Sequence, residues 1–276
     1  MNISIVIPTY RPKNYISTCL DAICSQRNDD GVINKIHVFI VLNGEKTPYY
    51  DYLHNLSQSK SSSFIEIELI YTEVKGVSNA RNIGIERSVG YDFICFIDDD
   101  DIISESYIND LVVALECSKN RVAQSQRNYF TLSNNLPIYE KFQKTHKKQV
   151  SSRFAMRKYL NSVCGKVYPY ELIKDRRFNT KISMSEDALF LFNLSPYISE
   201  MIIVDSAIYS LQRRNESVSR KKKSALSIMR DSFLYCRELT NDYFGNLAAM
   251  RGSFFLYISR ILGNFKFVLY RLLGLN

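Results

Sequence analysis

The 276-residue sequence predicts an α/β protein with a doubly wound, mostly parallel sheet flanked by helices and a helical C-terminal appendage. Two observations predict this class. Short apolar runs rich in β-branched residues alternate with segments of helical spacing over the first hundred positions. The runs are continuously hydrophobic, as strands covered on both faces require. The composition, 46% hydrophobic and 23% charged, is that of a globular chain and excludes a disordered or fibrous one.

Each predicted element follows from a local pattern. Strands are predicted at residues 3–7, 36–42, 64–71 and 93–97, and helices at 15–24, 49–56 and 80–86. A further helix is expected after Asp101, with Ser104 as N-cap and Glu105 in its first turn. Residues 141–158 carry seven Lys or Arg and no acid, which indicates a mobile or surface segment. Mixed short elements follow at residues 162–211, and then a helical tail.

The charge and the cysteine content limit the possible binding partners and the cellular compartment of the protein. The net charge of +8 favours phosphates, nucleic acid or anionic lipid without choosing among them. The six cysteines form no CxxC pair, so neither a zinc site nor a disulfide framework is expected. The first ten residues lack a secretory pattern, and the longest uncharged runs reach 12 residues. A membrane-spanning helix needs about 20, so we expect a cytoplasmic protein.

Four consecutive aspartates, residues 98–101, follow the fourth predicted strand. Carboxylates this close repel one another, which a hard divalent cation would relieve. In an extended chain Asp98 and Asp100 share a face and could converge on such an ion, while Asp99 points elsewhere. The alternative is a solvated acidic turn that caps the next helix, with Asp101 contributing. The segment alone leaves both open.

Polar residues also follow the other strands, at the edge where ligands of such sheets bind. Pro8, Thr9 and Tyr10 end the first strand, and Asn43 ends the second. After the third strand, a glycine turn leads into a helix that carries Arg81, which suits a diphosphate. Neither GxGxxG nor GxxxxGK[ST] occurs, which disfavours dehydrogenases and P-loop NTPases.

These segments resemble the family 2 glycosyltransferases of GT-A fold over about the first 215 positions. The similar segments are IVIPTYR, GVSNARNIGI, FIDDDD, SVCGKVYPYELI and RRFNTKISMSEDALF. The resemblance implies an inverting enzyme that moves a sugar from a nucleoside diphosphate donor, usually UDP-linked, with Mg²⁺ or Mn²⁺. It also implies a GT-A-like sheet, a donor half at about 1–103 and an acceptor half at about 104–215.

The resemblance assigns roles position by position. Asp187 matches the general base, and Asp100 with Asp98 matches the metal ligands. Glu186 and Lys166 match acceptor-side positions. The donor-binding positions are Pro8, Thr9, Tyr10, Asn43, Arg81, Asp98 and Asp99.

Three of these assignments have alternatives. Asn43 stands where the family commonly has an aspartate that accepts from the uracil imide, so strict UDP selectivity is in doubt. Glu186 and Asp187 also suit an ordinary helix start with Ser183 or Ser185 as N-cap. Lys166 could instead be a surface lysine.

The predicted tail, residues 216–276, is basic and amphipathic. Residues 251–276 hold four Lys or Arg, no acid and a wide apolar stripe at helical spacing. Such helices lie on anionic bilayers or pack on their own protein's core. Membrane contact at the inner face of the plasma membrane would suit a lipid-linked acceptor, and a glycan is the other acceptor class expected.

Two other functions are consistent with parts of the sequence. A metal-dependent nucleotidyltransferase would need a glycine- and lysine-rich triphosphate loop after the first strand, and PTYRPKN is a poor version of one. A non-catalytic nucleic-acid binder would add a recognisable module or stacking aromatic residues on a basic face, and neither is evident. The sequence therefore favours a nucleotide-sugar donor and no nucleic acid.

Overall fold

The computed structural model describes residues 1–133, 136–143, 149–213 and 224–273. Strands and helices alternate along the chain up to the fourth strand. Mixed elements follow up to the tenth strand, and the remaining described elements are helices. The strands are β1 Asn2–Thr9, β2 Lys35–Asn43, β3 Ile65–Thr72, β4 Phe93–Phe96, β5 Ile102–Ile103, β6 Arg121–Ser133, β7 Leu136–Gln143, β8 Gln149–Val150, β9 Lys166–Pro169 and β10 Glu200–Gln212. The helices are α1 Tyr15–Cys24, α2 Tyr49–Lys60, α3 Val77–Arg87, α4 Tyr107–Ala114, α5 Arg153–Met156, α6 Tyr170–Ile173, α7 Glu186–Leu194, α8 Ala225–Gly245, α9 Leu247–Met250 and α10 Phe254–Leu272.

One sheet runs through the molecule in the order β3-β2-β1-β4-β9-β6-β10-β5, with β7 on β6 and β8 on β10. Strands β1 to β4 pair in parallel, and β9 is antiparallel to both β4 and β6. The fold class predicted from the sequence is confirmed. The chain order reverses between β1 and β4, and that switch point is where doubly wound sheets bind ligands.

The predicted elements of the first hundred residues are confirmed with small changes of bounds. Helix α1 has the predicted bounds, whereas α2 continues to Lys60 and α3 begins at Val77. The predicted N-cap of α4 was wrong. Ser104 accepts the N–H of Ile208 with its hydroxyl, because β5 pairs with β10, and the helix begins only at Tyr107. Glu105 therefore precedes the helix.

The basic segment at 141–158 was only partly predicted. Residues 144–148 lie outside the described residues. After them, β8 pairs with β10, and α5 follows with a fully buried Met156. The surface interpretation is wrong for this part, since Val150 and Met156 anchor it in the core.

The close approach of α3 to the sheet depends on one glycine. A Cβ on Gly84 would overlap the side chain of Val6 in β1, closer than van der Waals contact allows. The absence of that atom lets α3 lie directly on β1 and β2. Helix α3 is thereby held with its N-terminal end at the carboxyl edge of the strands.

The C-terminal helices pack on one another and on the body of the protein. Tyr243 of α8 stacks on Tyr257 of α10, with ring centroids 4.6 Å apart. Asn264 of α10 donates to the hydroxyl of Ser232 of α8. Across the described ranges, no helix has both the length and the apolarity to cross a membrane. Residues 214–223, which include the start of the predicted tail, lie outside these ranges.

Candidate active site

The acidic residues after β4 form a tight turn. The N–H of Asp101 donates to the carbonyl oxygen of Asp98 at 3.1 Å, and β4 itself ends at Phe96. The chain is therefore not extended here as the strand alternation assumed, and the convergence of Asp98 and Asp100 on one ion stays a prediction. Across the switch point, the hydroxyl of Thr9 donates to Asp99, which joins the tips of β1 and β4.

The fourth aspartate has a structural role. Asp101 is buried, and its Oδ1 accepts the N–H of Gln212 at 2.9 Å. Burial raises the pKa of this carboxyl well above its usual range. Asp101 precedes β5 and fixes the turn to β10, so it does not cap a helix. The hydroxyl of Tyr209, also in β10, accepts the N–H of Asp98 at 3.1 Å.

Arg81 of α3 connects the acidic turn with α7. The residue is 3% exposed, and its guanidinium donates to Asp187 Oδ1 at 2.6 Å and to Asp98 Oδ1 at 3.0 Å. Glu186 lies 3.9 Å from the same group. Burial opposes the charge of Arg81, but Asp187 and Asp98 outweigh it and raise the pKa of the guanidinium. Asp98, predicted for the donor side, and Asp187, predicted as the general base, therefore both contact the guanidinium of Arg81.

Helix α7 begins at the site with two acids in its first turn. Ser185 occupies the N-cap position with φ +61°, in the left-handed region, and its side chain makes no capping hydrogen bond. Asp187 Oδ2 accepts the N–H of Val163 at 3.1 Å, so each carboxylate oxygen has a donor. Burial, followed by the neighbouring Asp187, raises the pKa of Glu186. The alternative of a helix start is therefore correct as to structure, and a functional role for these carboxylates stays a prediction.

Tyr10 and Asn43 lie at the ends of β1 and β2, at the same edge of the sheet. The ring of Tyr10 passes 3.0 Å from where a Cβ on Gly44 would lie, and the ammonium of Lys75 is 4.2 Å from the ring centre. Asn43 is buried, donates to the carbonyl of Thr9 at 2.7 Å and accepts the N–H of Gly76 at 2.9 Å. Its amide thus joins the end of β2 to the end of β1 and to the turn before α3. The contact of Asn43 with a nucleobase stays a prediction.

Lys166 is fully buried at the start of β9. Its ammonium donates to the carbonyl of Ser162, and burial lowers its pKa well below the usual range. The surface-lysine alternative is therefore wrong. Contact of Lys166 with an acceptor stays a prediction. So does contact of the donor with Pro8, which is buried in β1.

The sequence matches the profile of glycosyl transferase family 2 over residues 4–197. The chain belongs to this family. Glycosyltransferase GlyA of Streptococcus pneumoniae serotype 4 is 25% identical over 233 residues, which are 79% of this chain and 31% of GlyA. Glycosyltransferase AglE of Haloferax volcanii is 33% identical over 99 residues, 36% of this chain and 30% of AglE. The chain thus spans less than a third of these relatives.

A solved structure shares the fold of this glycosyltransferase. Residues 1–349 of S. aureus TarS, solved in complex with UDP-GlcNAc, match 96% of this chain and 72% of that chain with a TM-score of 0.71. The sequence identity is 17%. The likeness therefore establishes the GT-A-type architecture, and the helical C-terminal region falls within the matched part.

The donor atoms at the turn suit a hard divalent cation. Among the described residues, no three His, Cys, Asp or Glu side chains are grouped to hold a metal ion by themselves. Mg²⁺ in phosphate-handling enzymes takes one or two protein carboxylates and completes its shell with phosphates and water. Asp98 and Asp100, both partly exposed at the tip of β4, offer that donor set for Mg²⁺ or Mn²⁺ arriving with a diphosphate.

Proposed function

We propose that this glycosyltransferase transfers a sugar from a UDP-linked donor to a hydroxyl of a glycan or lipid-linked acceptor, with inversion of configuration at the anomeric carbon. The bridge from Asp98 through Arg81 to Asp187 carries the proposal. It sets a carboxylate beside the diphosphate edge and another on the facing helix, as attack from the side opposite the leaving group requires. The complex of TarS with UDP-GlcNAc supports a UDP-linked donor.

Each proposed role follows from the position of the side chain. Asp98 and Asp100 hold the divalent cation, which when bound neutralises charge on the departing diphosphate. Arg81 positions Asp98 and Asp187 relative to each other and supplies positive charge at the same edge. The hydrogen bond from Thr9 to Asp99 fixes the tip of β1, where the nucleoside is expected to bind. The ring of Tyr10 would line one side of that nucleoside site.

Asp187 is the proposed general base. Its oxygens accept from Arg81 and from the N–H of Val163, which holds the carboxylate in one orientation. The acceptor hydroxyl gives its proton to this carboxylate as its oxygen forms the new bond to the sugar and the bond to the diphosphate breaks. Glu186, next to the base and near Arg81, contacts the acceptor in this proposal.

The domain limits and the cellular setting complete the proposal. Residues 1–215 form the catalytic domain, and 216–276 form the helical tail. A lipid-linked acceptor for cell-surface polysaccharide would place the enzyme in the cytoplasm against the inner face of the plasma membrane. What supports this setting is the basic, amphipathic tail.

A donor screen tests the activity. Nucleotide release is measured with Mn²⁺ and a panel of nucleotide sugars, with and without lipid-linked acceptors. We expect release from a UDP-sugar that rises with acceptor. No release from any donor, with every acceptor tried, would contradict the proposal.

Two variants test the separate roles. By calorimetry, Asp100→Ala should lose metal-dependent donor binding. Asp187→Asn should keep donor binding and lose about 10²–10⁴ in transfer rate, as expected for a general base. Asp29→Asn, at an exposed carboxylate between α1 and β2, is the matched control and should change neither. If Asp100→Ala and Asp187→Asn behave alike, the roles are wrongly assigned.

A further inference from the structure

Helix α10 has an apolar stripe that no described part of the chain covers. Its members recur every three or four residues, so they lie on one face of the helix. Their side chains are between 37% and 72% exposed. The stripe consists of Phe255, Ile258, Leu262, Phe265, Leu269 and Leu272.

The opposite face holds α10 in a fixed orientation. Leu256 and Asn264 are buried, and Asn264 donates to Ser232 of α8. Arg260 donates to the carbonyl of Leu160 and to the side chain of Asn161. These polar contacts define which side of the helix faces the protein. The stripe therefore faces outward because the packing directs it there.

The charge around the stripe identifies its partner. Residues 251–273 contain Arg251, Lys266 and Arg271, besides Arg260 on the protein-facing side, and no Asp or Glu. A second copy would set one cationic helix against another, which like-charge repulsion opposes. An anionic lipid surface instead complements the charge and takes up the apolar side chains. The neighbouring α8 exposes further apolar side chains, Leu226, Met229 and Phe233.

A cavity of about 600 Å³ opens at the start of the stripe, between α5 and the junction of α9 and α10. Arg153, Arg251, Phe154 and Phe255 are among its lining residues, and Phe255 also belongs to the stripe. The guanidinium of Arg251 beside aromatic rings suits a phosphate on the head of a lipid, and Arg153, one of whose nitrogens donates to the carbonyl of Pro196 at 3.1 Å, lines the same cavity. The cavity thus offers a phosphate site at the level where a lipid headgroup would lie.

We propose that α10 docks on a membrane rich in anionic phospholipid, with the stripe in the headgroup region and a lipid phosphate in the cavity. The docked helix is tied to the catalytic domain near the base. Arg260 holds Leu160, which lies three residues before Val163, the backbone donor to Asp187. Three residues span at most about 11 Å, so the backbone that Arg260 contacts lies within that reach of the N–H that holds Asp187.

Vesicle flotation tests the docking without any donor or acceptor, so its outcome is independent of the proposed catalysis. The intact chain should float with vesicles of equal phosphatidylcholine and phosphatidylglycerol, and not with phosphatidylcholine alone. Added salt should weaken the binding because it screens the charges. Leu262→Asp with Phe265→Asp should weaken binding by more than about tenfold, since two apolar side chains leave the bilayer. Arg251→Glu with Lys266→Glu should weaken it selectively for the anionic vesicles.

Matched controls use exposed positions elsewhere. Val89→Asp, at a valine 70% exposed after α3, and Arg87→Glu, at the end of α3, should float like the unchanged chain. Failure of the intact chain to float, or flotation of the stripe variant at the unchanged level, would overturn the proposal. So would light scattering that shows a dimer which Leu262→Asp converts to a monomer, because the stripe would then be a contact between copies.

Discussion

Arg81 of α3 and Asp187 of α7, which are 106 residues apart in the sequence, form an ion pair with an N–O distance of 2.6 Å. The same guanidinium reaches Asp98, so one buried cation links the strand tip to the start of α7. The distance between the two proposed catalytic carboxylates is therefore set by the fork of a guanidinium, whose donors have a fixed geometry.

Replacing Arg81 with lysine should damage both stability and activity. A single ammonium cannot serve both carboxylates as the guanidinium does, so one of them loses its donor. We expect a loss of about 1–3 kcal/mol in the free energy of unfolding, measured with urea, together with a lower rate of transfer. Arg177→Lys, at an exposed pair with Glu86, should change stability by less than about 0.5 kcal/mol. Equal effects of the two substitutions would show that the bridge has no special role.

Restoring the common family residue at position 43 should destabilise the protein. In Asn43→Asp, a carboxylate replaces the amide that donates to the carbonyl of Thr9, and two oxygens then face each other. The expected loss is about 1–3 kcal/mol, because a buried hydrogen-bonding group is left unsatisfied. Urea denaturation at neutral pH measures it. An unchanged midpoint would mean that the amide does not hold the strand ends together.

Gly84→Ala should destabilise the contact of α3 with the sheet. The added methyl group overlaps Val6, whose buried side chain in β1 has no room to move, and overpacking costs about 1–3 kcal/mol. Gly263 of α10 is the control, because nothing lies within 4 Å of a Cβ placed there. Gly263→Ala should stabilise the helix by up to about 1 kcal/mol. Thermal unfolding of both variants compares them, and a shift of the same sign in each would contradict this account.

Lys166 should make stability depend on pH. Burial lowers the pKa of its ammonium, so between that pKa and about 10.4 the unfolded chain holds a proton that the folded chain lacks. The unchanged protein should therefore gain stability as the pH rises through this window, by at most about 1.4 kcal/mol per pH unit. Lys166→Met lacks this dependence. Urea unfolding of both proteins at rising pH up to about 10.4 measures the difference, and parallel curves would contradict a lowered pKa for the buried Lys166.

Much of the donor half was predictable from local pattern. Parallel strands end at one edge, so the residues after β1, β2 and β4 were expected to lie together, and the contact of Thr9 with Asp99 confirms this. The order of strands and helices up to β4 follows from hydrophobic runs, and β1, β2 and β3 are neighbours in the sheet as they are in the sequence, whereas β4 lies beside β1.

The rest depended on pairing between distant segments. Ser104 has the local features of an N-cap, but its hydroxyl serves Ile208, which is 104 residues away. The turn after β4 is closed by the burial of Asp101 against β10, which the run of acids does not indicate. Val163 supplies a backbone N–H to Asp187, and such a donor leaves no trace in residue type.

The reversed direction of β9 has a consequence for how the chain tolerates change. Because β9 runs against β4, its first residue, Lys166, lies beside the tips of the parallel strands, while Pro169 lies at the far rim. Residues 162–165 thus reach the catalytic edge without a crossover helix. Insertions before Lys166 should disturb catalysis, whereas Pro169 and the buried helix α6 that follows it lie at the opposite rim of the sheet.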